Sequence, residues 1–83
     1  MTTIATINRY RQVIEGIVIG GLSADTQAEA VSLLDALEWE RSFFFQDVAA
    51  MARHHDLVDR YGADSAVARC HDMEHPRLFA GDA

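Results

Sequence analysis

Four histidines and one cysteine hold most of the residue types in this chain that could bind a metal or move a proton. His54 and His55 are adjacent, and Cys70, His71 and His75 follow with Asp56, Asp72 and Glu74 close by. His71 and His75 stand four residues apart, a spacing that puts both rings on one helix face, where imidazoles can chelate a transition metal such as zinc. Two ligands do not make a site, so a third would come from His54, His55 or Cys70. Cys70 lies about 100° around the helix from His71, and Pro76 disfavours helical geometry at His75. The plainer reading places all four histidines near helix ends, where backbone carbonyls favour imidazolium. A metal centre at His71 and His75 with His54 or His55 is therefore the second reading, and no cofactor is expected.

Catalysis has less support. Cys70-His71-Asp72 offers a nucleophile, a base and an orienting acid in succession, but consecutive helical side chains diverge by about 100° and a relay between them is not expected. Cys70 reads instead as a small buried hydrophobe. Glu38 with Glu40, and Asp56 with Asp59, read as solvated helix-surface charges rather than a tuned acid and base. Gly20-Gly21-Leu22-Ser23 has neither the strand nor the lysine of a phosphate-binding loop and reads as a turn. The sequence points away from an enzyme.

The aromatic group Trp39, Phe43, Phe44 and Phe45 is more informative. Three consecutive helical residues fan over about 200° and cannot share one face. Phe44 joins a seam with Leu37, Val48 and Met51, while Phe43 falls one turn after Trp39 in a second stripe with Ala36, Gln46 and Ala50. Either flanking helices cover that stripe, or Trp39 and Phe43 form an exposed anchor for a partner, with Ala36 beside them and Arg41 at the rim.

The elements that must position these groups are helical. Ile4, Ile7, Tyr10, Ile14, Ile17 and Val18 recur every three or four residues and predict an amphipathic helix near 3–19, with Thr2 or Thr3 as its cap and Gly20-Gly21 as its stop. Ser23, Asp25 or Thr26 can cap the next helix, Glu29 completing a capping box with Thr26. No Gly or Pro occurs from Thr26 to Tyr61, and Ala30, Leu34, Leu37, Phe44, Val48, Met51 and Val58 keep a near-heptad seam. As one helix this stretch would be about 54 Å long. Either it breaks near Arg41-Ser42, Ser42 capping a new start, or a second chain covers the excess. Gly62 ends it, and Asp64 or Ser65 caps a last helix near 65–75 with Ala66, Val67, Cys70 and Met73 as its apolar face. Residues 76–83 read as a tail whose Leu78 and Phe79 either dock or fray. The expected fold is all-α: a small bundle or helical hairpin with a long central helix, completed by homodimerisation.

The composition fits a single helical domain spanning 1–83. Thirteen acidic residues against seven arginines, with no lysine, give a net charge of −6 over 83 residues that are 49% apolar. That field repels phosphate backbones and anionic lipid, so no direct nucleic-acid or membrane binding is expected. A lone cysteine forms no internal disulfide, and no stretch reads as a targeting or spanning segment, so the chain reads as cytoplasmic. The leading expectation is a small acidic, non-enzymatic regulator or inhibitor that homodimerises and binds another protein. Besides the metal site, the alternative is an acidic surface imitating nucleic acid through Asp35, Glu38, Asp47, Asp56 and Asp59.

Overall fold

The computed structural model describes residues 3–79, and among these every regular element is a helix. Thr3 accepts the Thr6 amide on its Oγ1 and opens α1, Ile4–Gly20, while Gly21 closes it at φ 91°, a left-handed geometry that costs glycine little. Ser23 caps α2, Ala24–Ala36, by accepting the Thr26 amide. Thr26 is thus inside the helix, and Glu29 does not build the expected capping box. Its carboxylate takes two bonds from Arg9 instead, at 2.9 and 2.6 Å, pinning α1 to α2.

The uninterrupted stretch after Thr26 breaks. The longest dimension of the protein is 33 Å, too short for the rod that the seam implied. Helix α2 stops in a Schellman motif: the Glu38 amide bonds the Asp35 carbonyl, the Trp39 amide reaches back to the Leu34 carbonyl, and Glu38 sits at φ 59°. Position 38 is normally glycine's because an L side chain there crowds the backbone. Glu38→Gly should therefore stabilise the fold by about 0.5–1 kcal/mol, read as a higher urea midpoint at unchanged slope. A lower midpoint would show that the glutamate side chain contributes more than its strain costs.

Helix α3, Phe43–Tyr61, restarts without the expected side-chain cap, for Ser42 is itself helical and its hydroxyl donates weakly to Glu40. The first turn is instead tightened by bonds from the Phe43 and Phe44 amides to the Glu40 and Arg41 carbonyls. Gly62 stops α3 at φ 90°, Ser65 caps α4, Ala66–Glu74, and Pro76 occupies the first position of α5, Pro76–Phe79, after His75 has left helical geometry at φ −127°. The expected tail is thus helical up to Phe79, and Leu78 is buried. The rest of that tail, and Thr2, lie outside the described residues.

The core collects Tyr10, Val13, Ile14 and Ile17 of α1, Ala30 and Leu34 of α2, Leu37 of the turn, Phe44, Ala50 and Met51 of α3, and Leu78 of α5. Helix α1 packs on α2 and α3, α4 on the far part of α3, and α5 folds back to close the end. No helix among the described residues is long and apolar enough to cross a membrane.

Candidate functional site

Breaking the central helix resets the phase of everything after it, and two side-chain clusters result. In the first, α3 keeps Phe44, Asp47, Met51 and Leu57 inward. That face also carries His54, three residues after Met51. Helix α4 packs there and turns His71 and Asp72 toward it. His54 Nδ1 lies 2.8 Å and His71 Nδ1 3.2 Å from the same oxygen of Asp72, Oδ1. The three ligand atoms lie within 4.8 Å of one another. The Phe79 ring stacks on His54 at 4.6 Å, fixing the imidazole plane, and His75 tilts against His71 at 4.7 Å. A cleft lined by Glu15, Met51, His54, Asp72, Leu78 and Phe79 opens beside the cluster.

The side chains that come together differ from the expected grouping. His71 is in the cluster, but His75, pulled out of the helix ahead of Pro76, contributes ring stacking and no ligand atom. Of His54, His55 and Cys70, it is His54 that joins the cluster. His55 points elsewhere, with Nε2 buried and without a hydrogen bond among the described residues. The carboxylate of Asp72 was not foreseen as a ligand. Its neighbour relation to His71 had counted against contact, yet the short aspartate side chain brings Oδ1 within reach of the preceding imidazole.

Turning His71 and Asp72 inward has a second effect: the face of α4 expected to be buried points outward. Ala68 is its buried residue, whereas Val67 is 49% and Met73 77% exposed, and Cys70 is exposed rather than a core thiol. Ala66, Val67 and Cys70 lie over Leu57 in an open cleft between α3 and α4, rimmed by Arg53, His71 and Glu74.

The second cluster absorbs the expected aromatic anchor. Trp39 and Phe43 are half-buried and share no helical stripe, because residues 37–42 are a turn. Trp39 stands edge-on to Tyr10 at 5.6 Å, and the Arg77 guanidinium lies 5.0 Å from the Trp39 ring centre and 4.1 Å from that of Phe43. Beneath them Asp47, 1% exposed, accepts the Tyr10 hydroxyl on Oδ2 and the Arg77 guanidinium on Oδ1, each at 2.5 Å. Burial pushes the Tyr10 phenol far above its ordinary value, and the adjacent Asp47 carboxylate raises it further. Burial also lifts Asp47, against the opposing pull of the Tyr10 and Arg77 donors. Ala36 is exposed at the end of α2, and Arg41 forms a two-point pair with Asp35, at 3.1 and 2.7 Å, that clamps the interhelical turn. That guanidinium holds the Asp35 carboxyl below the usual carboxylate range.

Sequence reasoning placed Asp47 among surface acids and Arg77 in a tail. The available signal was a lone aspartate at the inward register of Phe44 and Met51. Comparison of the chain with protein-family models, with curated proteins and with solved structures yields no match.

Proposed function

We propose that this protein is a small, non-enzymatic interaction module that works in the cytoplasm as a homodimer and regulates or inhibits another protein. The observation carrying this reading is the outward apolar stripe of α4. Val67 and Cys70 are exposed in the cleft over Leu57, and Met73 is exposed on the same helix. A second copy is the occupant that fits best. A two-fold contact brings each patch against itself, and the cleft carries Arg53 and Glu74 on its rim, so Arg53 of one copy can face Glu74 of the other. The anchor therefore moves from Trp39 and Phe43, which are engaged by Tyr10 and Arg77, to the α3–α4 cleft. With both copies joined there, the acidic remainder of the surface is left to face a basic partner.

The nucleic-acid-mimic alternative has less support. Asp47 is buried under Arg77, and Asp35 and Asp56 are paired with Arg41 and Arg60.

Native mass spectrometry and sedimentation of the untagged chain test the reading. The expected result is a dimer that becomes monomeric in a Val67→Asp, Met73→Asp variant with unchanged helical circular dichroism, since both positions are already exposed in the single chain. A native chain that stays monomeric throughout the concentration series overturns it.

A further inference from the structure

We propose that His54, His71 and Asp72 form a binding site for one divalent transition-metal ion of the zinc class. The donor set is two imidazoles and a carboxylate, the borderline mixture that suits zinc better than calcium or magnesium. In a tetrahedral zinc site with bonds of about 2.0–2.1 Å, neighbouring ligand atoms sit roughly 3.3–3.4 Å apart. Here His54 Nδ1 and His71 Nδ1 are already 2.8 and 3.2 Å from Asp72 Oδ1. An ion taking the place of the imidazole protons needs the two contacts to Asp72 to lengthen by only a fraction of an ångström, with the two imidazole nitrogens, within 4.8 Å of each other, adjusting toward the same spacing.

Four further features fit a ligand rather than a simple hydrogen-bonded trio. Both imidazoles converge on one carboxylate oxygen, while the other oxygen of Asp72 has no hydrogen bond among the described residues. The ligands come from two different helices and are only partly exposed, His71 at 11% and His54 and Asp72 at 26% each, so the site is preformed yet reachable. The neighbouring cleft reaches His54 and Asp72 and leaves the cluster open on one side, where α1 contributes both Glu15 and Arg11 to the lining. Phe79 stacked on His54 supplies the outer contact that holds a ligand ring in place.

The test is titration of the untagged chain with zinc chloride by calorimetry, together with the visible spectrum of its cobalt(II) complex. One zinc per chain is expected, with a rise in the thermal midpoint and a cobalt spectrum of four-coordinate intensity. His71→Ala and Asp72→Asn should each weaken zinc at least roughly tenfold, while His75→Gln, His55→Gln and Cys70→Ser leave it unchanged. Circular dichroism of the metal-free variants verifies that the fold is kept, and Asp72→Asn, nearly isosteric, serves if His71→Ala unfolds. No saturable zinc binding overturns the site. So does binding that survives His71→Ala and Asp72→Asn, or that is lost in Cys70→Ser or His75→Gln. All three ligands come from one chain, and because His71 also rims the α3–α4 cleft, unchanged zinc binding by the Val67→Asp, Met73→Asp variant separates the site from dimerisation.

Discussion

Asp47→Ala should lower stability by about 2–4 kcal/mol, the low end of the range for one member of a buried ion pair because Arg77 keeps 30% of its side chain exposed and can partly rehydrate. A domain of this size has only about 5–10 kcal/mol in total, so the thermal midpoint should fall by roughly 10–30 °C. The loss has three parts. The Tyr10 hydroxyl, fully buried, is left without its acceptor. The Arg77 charge stays over Trp39 and Phe43 without its carboxylate, and α5 loses the bond that seats it beside α3. Removing both charges tests the cause: Asp47→Leu with Arg77→Met should recover much of the loss, since apolar groups of similar volume replace buried pairs well. A change below about 0.5 kcal/mol in Asp47→Ala would mean that α5 is not docked in solution.

Alkaline pH should unfold the protein through Tyr10. The folded value of this phenol is raised well above its ordinary value of 10.0, so below pH 10 the group is neutral in both states and its contribution is intact. Above pH 10 the unfolded chain releases the proton and the folded chain keeps it. Stability then falls by about 1.4 kcal/mol per pH unit, or about 2–3 kcal/mol at two units above the ordinary value. Denaturant midpoints measured across this range should decline steeply in the native chain and less steeply in Tyr10→Phe. Equal slopes in the two proteins would show that the phenol ionises in the fold as readily as in the unfolded chain, so that neither burial nor Asp47 holds it neutral. The two predictions are coupled: in Asp47→Ala burial still raises Tyr10, but without the carboxylate the folded phenol ionises at lower pH and the alkaline decline levels off sooner.

Much of the fold was legible because its signals are local. Thr3, Ser23 and Ser65 accept amides at the helix starts, and Gly21 and Gly62 adopt the left-handed stops, since a cap needs only a hydroxyl or a missing Cβ at one position. Of the expected seam, Ala30, Leu34, Leu37, Phe44 and Met51 are buried, because helical periodicity sorts apolar side chains to one face, while Val48 and Val58 are only half-buried and Leu57 is the buried residue near the end of α3. The break at 37–42 left no such mark. Glu38 takes a strained position there because Leu34, Leu37 and Phe44 gain more by folding back onto α1 than the strain costs, and that gain belongs to residues distant in sequence.

The candidate sites depended on the same distant contacts. Single-sequence reasoning could name His54, His71 and Arg77, but their directions follow from the phase of α3 after the break and from where α5 returns. Determined by the sequence alone, then, are an acidic, all-helical chain, the caps at Thr3, Ser23 and Ser65, the glycine stops, and the buried faces of α1, α2 and the first part of α3. Tertiary structure decided that the central stretch is two helices, that α4 turns His71 and Asp72 toward α3 and shows its apolar stripe, and that Asp47 gathers Tyr10 and Arg77. Local propensity acts within one turn, whereas burying a charge or exposing a Met73 is settled by what another helix offers at that spot.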